Sequence, residues 1–337
     1  MKQLLLKLCD AFGVSGNEDE AGRIIADEIK DFVDEIYSDP IGNVIALKKS
    51  RINKHDANTH DASNHKIMLF AHMDEQGLLA TFIDEKGFVR FSPLGDFTEA
   101  GILGARVKFS NGVHGIIGCD GANSDAKSIK MSQLFVDIGA SSKEQAMQAI
   151  KIGDVACFDN ASFEMQNRVF AKALDNRTGC AVLVETAKKL KDNKSDVYFV
   201  FTSQEKIGQR GAKPAAYYVN PDIAIMIDIA SANDAGGSSA SAIKCGRGPV
   251  VRIKDKSCIY HPDVRRRIEE TAKHLNISIQ YEVNEKEVSD AGIVCQQAGA
   301  IACGAILVPV RYCSRPVGMV DINDIEDTVK IITKFLS

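Results

Sequence analysis

At 337 residues, the chain is long enough to bury more than one hydrophobic core, and its length points to two domains. A content of 45% hydrophobic and 26% charged residues is ordinary for a soluble globular protein, and a net charge of −4 argues against a nucleic-acid-binding surface. No apolar run approaches the roughly 18 residues that span a bilayer, and Leu4-Leu5-Leu6 is too short for a signal peptide, so no membrane is expected. The nine cysteines are scattered without a CxxC pair and read as reduced, mostly buried thiols, which places the chain in a cytoplasm.

In chain order, residues 18–36 read as an amphipathic helix, with Ile24, Ile25, Ile29, Phe32 and Val33 at helical spacing and Ser15 and Asn17 as candidate caps. Residues 44–47 and 67–70 read as strands. Between them, residues 51–65 are rich in Asn, Asp, His and Lys. They read as a solvated hairpin loop or disordered insertion rather than a metal-binding tract, despite His55, His60 and His65. The pattern changes over residues 75–164, where short alternating strands at 77–83, 87–91, 106–109, 113–117 and 134–138 are punctuated by Gly and Asp. This predicts a small all-β module, a barrel or a sandwich. After Phe170 an α/β pattern resumes, with helices at 179–189, 210–218, 263–275 and 322–336, strands at 197–202 and 223–227, and a strand edge at 306–309. Strands alternating with helices argue for a mostly parallel sheet covered on both faces. The simplest organisation is an α/β domain of residues 1–74 and 165–337, interrupted by the β module of residues 75–164.

Ligands of open α/β sheets bind at the carboxyl ends of the strands. The polar residues of interest lie at such ends. His72 and Asp74 follow the strand at 67–70, Gln204-Glu205-Lys206 follows 197–202, and Asp228 ends 223–227, while Asp175 precedes a helix. Imidazole and carboxylates converging on one crevice are what a hydrolytic zinc or cobalt site requires. Asp74, two residues from His72, is placed to fix its tautomer. A lone His-x-Asp is a weak signal, and an Asp at a strand end is usually a cap or turn residue. Four such features in one chain carry the reading.

The segments Ala71-His72-Met73-Asp74-Glu75, Ala173-Leu174-Asp175-Asn176-Arg177 and Gln204-Glu205-x-x-Gly208-x-Arg210-Gly211-Ala212, with Asp228, resemble the tetrahedral, or glutamyl-type, aminopeptidases. The resemblance spans nearly the whole chain. It includes Gly13-Val14-Ser15-Gly16, residues 246–249, Ser289-Asp290-Ala291 and residues 309–316. It implies a cytoplasmic metallopeptidase, acting on short peptides or aminoacyl substrates and often built into large homo-oligomers. It also implies an α/β catalytic domain carrying an inserted β domain used for dimerisation. Two metal ions would be joined by Asp175, with His72 and Asp228 completing one position, Asp74 orienting His72, Glu205 acting as general base, and a cis peptide between Asp175 and Asn176.

The chain departs from that pattern at two residues. The second metal position of the family uses the bridging Asp, a Glu directly after the catalytic Glu, and a His near the C-terminus. Here Lys206 stands for that Glu and Ser314 for that His, within Arg311-Tyr312-Cys313-Ser314-Arg315-Pro316. Both departures fall on one ion and neither touches the other. Two divalent ions with three carboxylates leave one net positive charge, and one ion with Lys206 and two aspartates leaves the same. The expectation is therefore one divalent ion, with the Lys206 ammonium paired to Asp175 in place of the second; in the bland reading Lys206 reaches solvent and the site has decayed. The function expected is a metallo-aminopeptidase of low or altered activity. The alternative is an inactive homologue retained for assembly, regulation or ligand binding.

Overall fold

The computed structural model describes residues 1–51, 65–121, 129–236, 243–297 and 299–337. The polar segment, with His55 and His60, lies outside the described residues but for its two ends, Arg51 and His65.

A large sheet is built on four adjacent parallel strands in the order Asp196–Thr202, Lys66–His72, Ile223–Ser231, Ala302–Arg311. Their sequences are near-continuous apolar runs because both faces are covered. Ile67, Leu69 and Ala71 enter one core, while Met68 and Phe70 enter the other. The first core is closed by the helices Lys2–Asp10, Asp19–Ile29, Leu174–Lys189, Pro262–His274 and Ile322–Leu336, the second by Ala212–Val219 and Asp290–Val294. Antiparallel strands flank the parallel centre. Val44–Lys48 and Glu35–Ser38 extend one side, and Gly318–Asp321, Arg168–Ala171 and Phe163–Met165 extend the other, so the sheet is mixed.

The β module is a closed six-stranded barrel in the order Gly77–Ile83, Val89–Leu94, Leu134–Asp137, His114–Cys119, Arg106–Phe109, Val155–Phe158. Closure removes the exposed edges that short strands otherwise leave. The barrel has its own core, including Leu78, Val89, Val107, Ile117, Val136 and Ala156. We propose that this separate core makes the 75–164 segment a domain inserted into one formed by residues 1–74 and 165–337. Phe163–Met165 pairs with the large sheet, at the seam between the two.

Several elements differ from the sequence expectation. The helix over 18–36 ends at Ile29, followed by one 3₁₀ turn, Lys30–Phe32. Phe32 continues the helical spacing but is 39% exposed. The chain is drawn instead into antiparallel pairing of Glu35–Ser38 with Val44–Lys48, through a turn closed by Gly42 N–H to Asp39 O at 3.0 Å, with Gly42 at φ +99°. Ser15 and Asn17 cap nothing: the helix starts after Glu18 with no side-chain cap. The strand expected at 306–309 is ten residues long and interior, between Ile223–Ser231 and Gly318–Asp321.

Arg177 ties these layers together. It is fully buried and donates to the carbonyls of Met73 (2.6 Å) and Leu8 (2.5 Å), with longer bonds to Ala11 and Gly13 (3.4 Å each). Glu75, held by Lys172 at 2.7 Å, lies 3.7 Å from its guanidinium. Arg177→Leu would take the Arg177 donors from the buried carbonyls of Leu8 and Met73, while Ala11 keeps Lys172 Nζ at 3.1 Å and Gly13 keeps the Glu75 N–H at 2.8 Å. It is expected to lower unfolding free energy by about 3–5 kcal/mol in a urea melt. An unchanged midpoint would contradict this role.

Candidate metal centre and active site

The site lies at the carboxyl edge of the parallel strands. His72 is the last residue of its strand, and Asp175 lies at a non-helical step near the start of Leu174–Lys189, with its peptide to Asn176 cis. Asp228 does not end its strand as the sequence suggested, since Ile223–Ser231 runs three residues further. Pairing with the His72 strand stops at Met226↔Phe70, so Asp228 lies past the end of that pairing.

His72 Nε2 lies 3.0 Å from Asp175 Oδ1, 3.8 Å from Asp228 Oδ1 and 3.9 Å from Glu205 Oε2. Its Nδ1 faces Asp74, 3.2 Å from the backbone carbonyl and 3.4 Å from Oδ1. With a proton on Nδ1 directed at Asp74, the Nε2 lone pair would be free to bind a cation held among the carboxylates. Lys206 Nζ donates to Asp175 Oδ2 at 2.8 Å and lies 3.4 Å from Glu205 Oε2. Its side chain is 12% exposed, so it does not run out to solvent.

One ligand atom each from His72, Asp175 and Asp228 lie within 4.8 Å of one another. One imidazole nitrogen and two carboxylates form a donor set suited to a borderline divalent ion, so these residues fit one metal. The other oxygen of Asp175 is taken by Lys206. Ser314 lines the same cavity, of about 410 Å³, with Gln76, Asp96, Gln209, Arg252, Glu287 and Cys313.

The charges set each other. Burial and Lys206 pull His72 down, but Glu205, Asp175 and Asp74 outweigh them and hold it well above the usual imidazole range. Burial raises Asp175, yet Lys206 and His72 hold it well below the usual carboxylate range. Burial lowers Lys206, but Asp175, Glu205 and Asp228 keep it firmly protonated. Burial, reinforced by Asp175, pushes Asp228 up to about 7 against the pull of His72.

A second ring of groups holds this one. Asp74, fully buried, accepts from Ser15 Oγ (2.6 Å), Glu205 N–H (3.0 Å) and Lys206 N–H (2.9 Å). Burial raises its carboxyl, but His72, Ser15 and the Lys206 N–H outweigh burial and leave it below the usual carboxylate range. Glu18 Oε1 accepts from Gly16 N–H and Gln204 N–H, both at 2.9 Å. Asp290 accepts from Thr202 Oγ1 at 2.6 Å, and burial with Glu205 nearby raises it to about 8. Sequence reasoning assigned no role to Glu18, Asp290, Arg252 or Glu287. Glu18 sits in the acidic run Asn17-Glu18-Asp19-Glu20, which has the look of a solvated helix start.

Glu18 has a consequence for stability. Its carboxyl moves from 4.5 to about 7, chiefly by burial and against the N–H bonds that lower it. Between those values the native state binds more protons than the unfolded chain, so stability is lost as pH rises through the window and stays lost above it. Neutral Glu18→Gln should therefore be more stable than the wild type at pH 8 than at pH 5, by up to about 3 kcal/mol, in paired urea melts. An equal difference at the two pH values would contradict this.

A mixed α/β sheet with an imidazole–carboxylate cluster at the carboxyl edge of its four parallel strands is an arrangement that suits a metal-dependent hydrolase. The sequence profile described as M42 glutamyl aminopeptidase matches residues 44–331. The chain belongs to the M42 glutamyl aminopeptidase family, whose members depend on divalent metal, and it is a hydrolase of the peptidase class. It is 45% identical over 334 residues to a protein of Acetivibrio thermocellus whose aminopeptidase name is itself provisional, covering 99% of this chain and 98% of that one. An aminopeptidase structure from the archaeon Desulfurococcus kamchatkensis superposes with a TM-score of 0.92 at 33% identity, covering 99% of this chain and 93% of the other. The TET1 peptidase of Pyrococcus horikoshii, described as assembling into a tetrahedron or a large octahedral shell, matches with a TM-score of 0.85 at 32% identity, covering 99% and 98%. Among the described residues, no helix is long and apolar enough to cross a membrane.

Proposed function

We propose that this chain is a metallo-aminopeptidase that removes N-terminal residues from short peptides with one divalent ion, zinc or cobalt, and with Lys206 in the place of a second. The observation that carries the reading is the buried 2.8 Å contact of Lys206 Nζ with Asp175 Oδ2. In it, His72, Asp175 and Asp228 hold the ion. When bound, the ion supplies Lewis acidity, polarising the scissile carbonyl and making water a better nucleophile. Asp74 fixes the His72 ring, and Lys206 keeps Asp175 ionised. Glu205 takes the proton of the attacking water and returns it to the leaving amine. The fixed ammonium 3.4 Å from Glu205 repels a second ammonium, so turnover of free N-termini is low or altered.

The cytoplasm is supported by nine free thiols. Homo-oligomers are supported by the assemblies named for the Pyrococcus horikoshii relative. The replacement of two expected ligands by Lys206 and Ser314 favours a second reading, a catalytically inactive homologue kept for assembly, regulation or peptide binding.

Metal-loaded wild type tested on a panel of aminoacyl arylamides separates the two. Hydrolysis that depends on Glu205 supports the peptidase reading. Peptide binding without any hydrolysis supports the inactive one.

A further inference from the structure

We propose that Glu18 is a positioning residue for Glu205, acting through the main chain of residues 204–206; the kinetic part of this rests on the peptidase reading above. Three consecutive N–H groups of that segment donate to buried carboxylates. Gln204 donates to Glu18 Oε1, Glu205 to Asp74 Oδ1 and Lys206 to Asp74 Oδ2, at 2.9–3.0 Å. Gln204 sits in the left-handed region at φ +55°, and the N–H groups around such a residue converge into an anion-binding concavity. The chain fills that concavity with its own side chains.

Glu205 is then gripped from both sides. Its carbonyl accepts from Gly208 N–H at 3.0 Å and Gln209 N–H at 2.9 Å. Its N–H is held by Asp74, and the residue before it by Glu18. Glu18 also bonds Gly16 N–H, and Ser15 bonds Asp74 at 2.6 Å, so the whole 13–18 segment acts as a clamp on the loop that presents Glu205. Glu18 is 5% exposed and stands close enough to Asp74 for the two carboxylates to repel. Losing its reach would free the Gln204 N–H and relax the strained residue directly before the base. A misplacement of about 1 Å can cost on the order of 100-fold in rate.

A purely structural role, fastening the helix Asp19–Ile29 to the sheet, predicts different results from a positioning role. Two variants of the full-length, metal-loaded protein distinguish them. Glu18→Asp keeps the charge and shortens the reach by one methylene. Glu18→Gln keeps the reach and the acceptor oxygen and removes the charge. Steady-state kinetics are paired with amide hydrogen exchange, read by mass spectrometry on peptides covering residues 203–208, and with metal content.

The expected result for Glu18→Asp is a kcat lowered at least about tenfold, with KM within about twofold, unchanged metal content and faster exchange confined to residues 204–206. Glu18→Gln should recover most of the kcat and the wild-type exchange. Wild-type kcat and exchange in Glu18→Asp would overturn the proposal. So would equal loss in both variants, accompanied by loss of fold or metal, which would make Glu18 structural only. If the wild type shows no turnover, that failure falls on the peptidase reading, and the exchange measurement still decides the role of Glu18.

Discussion

Glu205→Gln is expected to lower kcat by about 10²–10⁴-fold while leaving metal binding and the fold unchanged. Glu205 lies outside the set His72, Asp175 and Asp228, whose ligand atoms converge within 4.8 Å. Its Oε2 nonetheless lies 3.9 Å from His72 Nε2 and 3.4 Å from Lys206 Nζ, in the cavity wall. Gln has the same shape and keeps one oxygen toward Lys206, so packing is preserved. What it cannot do is accept a proton from water and deliver it to the leaving amine. A fall in kcat with unchanged metal content isolates that step. A variant with wild-type turnover would remove Glu205 from the chemistry.

The second large effect concerns Lys206 and Ser314, the residues proposed to stand at the second metal position. Replacing Lys206 by Glu removes one positive charge and adds a negative one beside Asp175 and Glu205. Without an added cation, four carboxylates, counting Asp228, crowd a largely buried site, and the variant Lys206→Glu/Ser314→His should lose about 3–5 kcal/mol of stability in its metal-free form. Zinc should restore that loss, because ligand bound only by the native state stabilises it. The double variant should then hold two ions per chain and hydrolyse free aminoacyl substrates faster than the wild type. Calorimetric zinc titration with thermal melts in chelator and in zinc checks both parts. A double variant that binds no more zinc than the wild type would show that Lys206 does not stand in a cation position.

The centre of the fold was readable because its strands are buried on both faces. The run Ile67 to Phe70 has no polar residue to confuse its type, and the residues after such runs fall at one sheet edge whatever the detailed topology. The flanks were not readable. Phe163–Met165 and Gly318–Asp321 are three and four residues long and are defined by their partners rather than by any pattern of their own. The barrel closes through Val155–Phe158 pairing with Gly77–Ile83, a contact between distant segments that local patterning does not encode. Phe32 misled for the opposite reason, since it fits a helical stripe that the chain abandons. Within the site, His72, Asp175, Glu205, Lys206 and Asp228 could be named from their motifs. Ser15 and Glu18 could not be given their contacts. Ser15 has the signature of a cap and Glu18 that of a solvated acidic helix start, and only the folded chain brings them against Asp74 and Gln204.

The claim that Lys206 takes the place of one of two ions is tested most directly by counting metal. Wild-type protein is stripped with chelator, reloaded with excess zinc, freed of unbound metal by gel filtration, and assayed for zinc per chain by mass spectrometry of the element. With Lys206 in a cation position, the wild type should retain one zinc per chain and lose it on substitution of His72 by Ala. Two zinc ions per chain in the wild type would contradict that placement.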